Sequence, residues 1–173
     1  RLTKLVATLQ GFQNPSIVAP HACDRTADQV VLVSRVVEGP HLGELLVRRG
    51  RYPAEIVAEI ARQLAEGLDS LAARNLAHGD IRLANVRLTK PGVAVLVDAG
   101  IRSSIDSEIT VHSGLAPERY DGTAPELIGA NRPADVRSDL YALGCLLWQL
   151  LAGRPPYPGG DPLGKLAAHQ TRK

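Results

Sequence analysis

The amino-acid sequence predicts an α-rich fold with a few short β-strands. Three features carry that reading. Leucine and isoleucine recur at helical spacing in several stretches, and β-branched runs are short and end at Gly, Pro or polar residues. The longest apolar run, Leu140 to Gly153, falls short of the ~20 residues a membrane span needs, and Gln149 interrupts it, so it reads as a buried helix.

The elements follow in order. In residues 1–13, Leu2, Leu5, Val6 and Leu9 share one helical face, and Asn14-Pro15 stops the helix because proline restricts the residue before it. Ile17 to Ala19 and Gln29 to Val37 are expected to pair as antiparallel strands across the polar stretch CDRTAD. Gly39-Pro40 breaks the pattern, and His41 to Arg49 reads as a short helix closed by Gly50. The strongest helix is Tyr52 to Arg74, with Pro53 in its first turn, an apolar stripe of Ile56, Ile60, Leu64, Leu68 and Leu71, and Asn75 as a cap. Two short strands, Asn85 to Leu88 and Ala94 to Val97, are joined by Lys90-Pro91-Gly92. Residues 98–137 are irregular and too long for a bland connector. Asp139 to Ala152 is the most apolar helix, Gly153 to Gly160 a stiff loop, and Asp161 to Gln170 one more helix.

Composition sets limits. The chain has 173 residues, 45% of them hydrophobic and 22% charged, which suits one globular domain. Twenty basic and 18 acidic residues nearly balance, which argues against a strong grip on nucleic acid or an anionic membrane. Cys23 and Cys145 fit no zinc spacing and read as free thiols in a reducing, cytoplasmic setting, including the cytosolic part of a larger membrane-anchored protein. The sequence contains no methionine, so Arg1 is expected to lie inside a longer protein.

The chemistry is concentrated in HGDIRLANVRL, residues 78–88, and VDAG, residues 97–100. Phosphoryl transfer from ATP needs a carboxylate near the acceptor hydroxyl and oxygen ligands for Mg²⁺. Asp80 suits the first role, and Asn85 and Asp98, one at the start of a strand and one at the end of the next, suit the second. Taken singly, each also fits a cap or a turn. Their order and spacing together point to a site.

These motifs resemble the eukaryotic-type protein kinase family, of the kind found in bacterial Ser/Thr kinases. HGDIRLAN resembles the HRDLKxxN catalytic loop, VDAG the DFG motif, Ala124–Glu126 the APE that closes the activation segment, and SDLYALGCLLWQLLAGRPPYPGGDP the following helix and loop. A second APE, Ala116–Glu118, lies too far from Asp139 for the family spacing. The resemblance implies a kinase-like C-lobe truncated at both ends, with residues 1–37 the end of the N-lobe and 38–173 the helical lobe. It implies Asp80 and Arg82 as catalytic residues, Asn85 and Asp98 as ligands of Mg²⁺ and the ATP phosphates, and backbone groups near Arg35 and Val37 as adenine contacts, with Ser34 as gatekeeper. It also implies that Asp139 ties its helix to the catalytic-loop backbone.

The departures are equally specific. The glycine-rich loop and phosphate-gripping lysine lie outside the chain, and the helix glutamate that pairs with that lysine is matched by Leu5. Gly79 replaces the arginine that receives an activation-loop phosphate, Arg82 the catalytic-loop lysine, Ala99 the DFG phenylalanine, and Arg87 an aliphatic residue under adenine. Three functions therefore stay open: a Ser/Thr protein kinase acting on protein hydroxyls, a pseudokinase that engages a partner protein, and a small-molecule phosphotransferase of the aminoglycoside type.

Overall fold

The computed structural model describes residues 1–105, 116–129 and 132–172. Helix α1 (Leu2–Thr8) leads into two antiparallel strands, β1 (Ala22–Arg25) and β2 (Val30–Val33). Helices α2 (Leu42–Arg49) and α3 (Ala54–Ala72) follow, then the hairpin of β3 (Val86–Leu88) and β4 (Ala94–Leu96). Short helix α4 (Ile101–Ile105), 3₁₀ turns at Pro117–Tyr120 and Pro125–Leu127, α5 (Val136–Ala152) and α6 (Pro162–Thr171) follow. A further 3₁₀ turn, Leu83–Asn85, leads into β3, so Asn85 closes that turn and does not start the strand as expected. The predicted α-rich fold is present, and among the described residues no helix is long and apolar enough to cross a membrane.

The core forms where α3 and α5 pack together and against the β3–β4 hairpin. Val57, Ile60, Leu64, Leu68 and Leu71 of α3 meet Leu143, Leu146 and Leu150 of α5 and Val86 and Leu96 of the hairpin in one buried cluster. Gly67 permits the close approach of Ile17, since a Cβ there would lie 2.8 Å from Ile17 Cγ1. Leu96 N–H donates to the Ser16 carbonyl at 2.8 Å and Val18 N–H to the Leu96 carbonyl at 2.7 Å, so residues 16–18 extend the hairpin.

Several boundaries differ from the sequence reading. Ile17 to Ala19 does not pair with the Gln29–Val37 run; its place is taken by Ala22–Arg25, in register Ala22 to Val33 and Arg25 to Val30. The buried Ile17 and Val18 are drawn to β4 instead, because that is where apolar surface can be covered. In α3 the stripe begins at Val57, and Ile56 is exposed; Pro53 caps the helix rather than entering its first turn. Asn75 turns the chain out of the helix in the left-handed region (φ 56°), with Leu76 N–H on the Leu71 carbonyl at 3.1 Å. Helix α5 starts at Val136, before Asp139, because Asp135 accepts from the Ser138 amide while Ser138 Oγ accepts from the Asp135 amide, a capping box. It is buried on one face only: Leu140, Trp148 and Leu151 remain exposed. Cys23 and Cys145 are both free thiols, as expected.

Candidate active site

The HGD and VDAG segments meet in front of the β3–β4 hairpin and are joined by two hydrogen bonds, with one further bond inside HGD and one from Val97 to Asn85. His78 Nε2 lies 3.0 Å from the Val97 carbonyl, and Asp80 N–H donates to His78 Nδ1 at 3.3 Å. That pair of contacts requires the neutral ring with its proton on Nε2. Burial of His78 pushes its pKa down to about 4, so the ring stays neutral. Gly100 N–H donates to the His78 carbonyl at 2.9 Å and Val97 N–H to the Asn85 carbonyl at 2.9 Å.

Helix α5 holds the loop from behind. Asp139 Oδ2 accepts from the His78 amide at 2.6 Å and Oδ1 from the Gly79 amide at 2.9 Å. This is the link between α5 and the loop that the sequence resemblance implied. Gly79 has φ 78°, a conformation in which any side chain would be strained. Burial raises the Asp139 carboxyl to about 6 even though the two amides favour the charged form.

Asp80 is the centre of the site. Its Oδ2 accepts from Asn85 Nδ2 at 2.9 Å and Arg82 Nε at 3.2 Å; its Oδ1 accepts from Arg102 Nη1 at 3.2 Å. Arg119 Nη2 approaches Oδ2 to 3.9 Å. Burial pushes the Asp80 pKa up, but the charges of Arg82, Arg102 and Arg119 outweigh it and hold the carboxyl below its ordinary range. Asn85 is buried, and its amide nitrogen is committed to Asp80, with a second bond to the Asp80 carbonyl at 2.8 Å. Oδ1 is therefore the atom of Asn85 left to ligate a cation.

Asp98 is exposed and sits in the left-handed region at φ 65°. Few non-glycine residues adopt that conformation, and aspartate is among those that do. Ala99 and Gly100 behind it are buried, and a Cβ on Gly100 would lie 2.7 Å from Leu5 Cδ1. Leu5 thus meets the VDAG turn by apolar packing, where the family pattern has a charged side chain. A carboxylate on Asp98 and a carboxamide oxygen on Asn85 are the hard oxygen donors that suit Mg²⁺, which usually takes one or two carboxylates and completes its shell with water and phosphate.

The remaining predicted residues lie further out. Arg35 is exposed and its Nη2 reaches the Pro15 carbonyl at 3.4 Å. Its side chain lines a cleft of about 790 Å³ with Phe12, His21 and Pro91, a lining that includes none of Asp80, Asn85 or Asp98. Among the described residues the backbone groups of Arg35 and Val37 make no backbone hydrogen bond. Arg87 donates from Nη1 to the Gly39 carbonyl at 2.8 Å, which fixes its charge at the end of the β2–α2 connection. The activation segment, expected over 98–126, is described in part, and residues 106–115 lie outside the described residues. The sequence reading missed Arg102 and Arg119. Each stands close to a recognisable motif, but no spacing rule links either to Asp80, and only the fold brings them there.

Comparison with known proteins shows the family. The family model described as protein kinase domain matches residues 3–173. Serine/threonine-protein kinase PknH of Mycobacterium bovis is 34% identical over 157 residues, covering 91% of this chain and 26% of the relative. Serine/threonine-protein kinase PknE of Mycobacterium tuberculosis is 31% identical over 169 residues, covering 98% of this chain and 30% of the relative. The chain therefore spans less than a third of the length of these relatives. It belongs to the protein kinase family, in the eukaryotic-type branch found in bacteria.

Proposed function

We propose that this chain is the helical lobe, with the end of the N-lobe in residues 1–37, of a bacterial Ser/Thr protein kinase that uses ATP and Mg²⁺. Its acceptors are protein hydroxyls, and its setting is the cytoplasm or the cytosolic part of a larger protein. The observation that carries this reading is the joining of Asp80, Asn85 and the VDAG turn through His78 and Val97. Catalysis of phosphoryl transfer is mostly positioning and electrostatics, and a framework held this tightly supports it.

When bound, Mg·ATP supplies the transferable phosphoryl group and neutralises its charge. Asn85 Oδ1 and the Asp98 carboxylate are the metal ligands. The free backbone groups of Arg35 and Val37 receive adenine. Asp80 accepts the hydrogen bond of the acceptor hydroxyl and orients it, and Arg82 balances charge next to it. Asn85 also fixes the Asp80 side chain, so one residue serves both halves of the site.

A pseudokinase reading has its own support in the packing of Leu5 on Gly100 and in the occupation of both Asp80 oxygens by the chain's own donors. Thermal denaturation of the intact protein separates the two. A ligand at ~100 times its dissociation constant stabilises by roughly 2.7 kcal/mol, so Mg·ATP should raise the melting temperature visibly. Asp98→Asn should abolish most of that rise, whereas Asp80→Asn should keep the rise and lose transfer to a Ser/Thr acceptor. No shift with millimolar Mg·ATP in a well-folded intact protein would reject the catalytic reading in favour of the pseudokinase one.

A further inference from the structure

Three guanidinium groups converge on one carboxylate at Asp80, at 3.2, 3.2 and 3.9 Å. They come from three separate segments: Arg82 from the catalytic loop, Arg102 from α4 and Arg119 from the 3₁₀ turn Pro117–Tyr120. Among the described residues no other carboxylate lies within 4.0 Å of any of them. Asp80 can neutralise only one, so among the described residues the cluster carries excess positive charge in a shielded place, where the Asp80 side chain is 11% exposed. Among the described residues Arg119 makes the longest approach of the three, at 3.9 Å outside hydrogen-bonding range, and its side chain is 27% exposed.

We propose that Arg102 and Arg119 select the acceptor by binding a carboxylate on a residue next to the acceptor hydroxyl, so that the substrate class is an acidic segment. The inference rests on the phosphotransferase reading only for the place of the hydroxyl at Asp80. Among the described residues Arg102 is the only one seen to donate a hydrogen bond to Asp80 Oδ1. An arriving carboxylate offers Arg102 and Arg119 a replacement partner of the same charge and geometry, and Oδ1 becomes available to the hydroxyl. A neutral segment offers no such exchange. A basic segment adds a cation to a site that already has an excess of them, which disfavours it by repulsion.

The test uses the intact protein and three peptides that differ only in the residues flanking one serine: Glu, Gln or Lys on both sides. Calorimetric titration without nucleotide should show the Glu peptide binding about threefold to tenfold tighter than the Gln peptide, the range of a shielded ion pair, with the Lys peptide weakest and the spread shrinking in high salt. Arg119→Glu should reverse the order while keeping the melting temperature; Arg119→Gln serves if the reversal impairs folding, and should narrow the spread. Equal affinities in the parent, a preference for Lys, an unchanged order in a folded Arg119→Glu, or an undiminished spread in Arg119→Gln would overturn the proposal. Parallel transfer assays with Mg·ATP separate it from the reading on which it rests. If acidic peptides bind through Arg119 but none is phosphorylated, the catalytic reading falls and the selection stands. If Lys peptides are phosphorylated as readily as Glu peptides, the selection falls and catalysis stands.

Discussion

Asp80 and Asp139 are both shielded carboxylates serving the same three-residue stretch of loop, yet their surroundings drive them apart. Asp139 accepts from two backbone amides, at 2.6 and 2.9 Å, and its pKa is raised to about 6. Asp80 accepts from guanidiniums and an amide side chain, and its pKa is lowered. Burial pushes both upward. The difference lies in the charge of the partners: amides solvate a carboxylate without neutralising it, whereas arginines supply a compensating charge. Asp139 therefore serves the scaffold, and Asp80 keeps the charged form that the proposed chemistry needs. A third carboxylate, Asp121, extends the comparison: it is buried, pairs with the buried Lys165 of α6 and also accepts from Gln149 Nε2 at 3.2 Å.

Asp121 gives the largest expected effect. Lys165→Ala leaves a buried charge without its counter-ion and should cost ~3–5 kcal/mol, seen as a drop in melting temperature. The double variant Asp121→Asn with Lys165→Met should recover much of the loss. A single variant as stable as the parent would show that water, not Lys165, compensates Asp121.

Asp139→Ala comes next. It strands the His78 and Gly79 amides, each at ~1–3 kcal/mol, and should lower thermal stability while also loosening the loop. An unchanged melting temperature would mean that the bonds from His78 to Val97 and from Gly100 to His78 hold the loop without α5.

The smallest effect is in the pH dependence. Asp139 has a folded pKa of about 6, above its unfolded value, so the native state binds more protons between about 4 and 6 and stability from this group falls as pH rises through that window. His78 has a folded pKa of about 4, below its unfolded value, so the unfolded state binds more protons between about 4 and 6.5 and stability from this group falls as pH drops. The two slopes oppose one another. Asp139→Asn removes one of them, and its stability should decline more steeply than the parent's between pH 6 and 4 in denaturant melts. Parallel curves for parent and variant would refute this coupling of the two groups.

The sequence by itself indicated the helices other than α4, which lies in a stretch that reads as irregular, together with the β3–β4 hairpin and the candidate trio, because each rests on local spacing. An apolar stripe needs only i, i+3 and i+4 positions to be recognised, and Asp80, Asn85 and Asp98 lie within one supersecondary unit. It also supplied Asp139 as the anchor, through family resemblance rather than pattern. The strand pairing was less legible. Ile17 and Val18 have the composition of a hairpin strand, but whether they join β2 or β4 depends on which surface remains to be covered. The exposed face of α5 was equally hidden, since an apolar run does not say which of its sides finds a partner. Tertiary structure alone decided the electrostatics of the site. Arg102 and Arg119 lie 22 and 39 positions from Asp80, and charge acts through space, so their grip on its carboxylate exists only once α4 and the 3₁₀ turn Pro117–Tyr120 have folded against the catalytic loop.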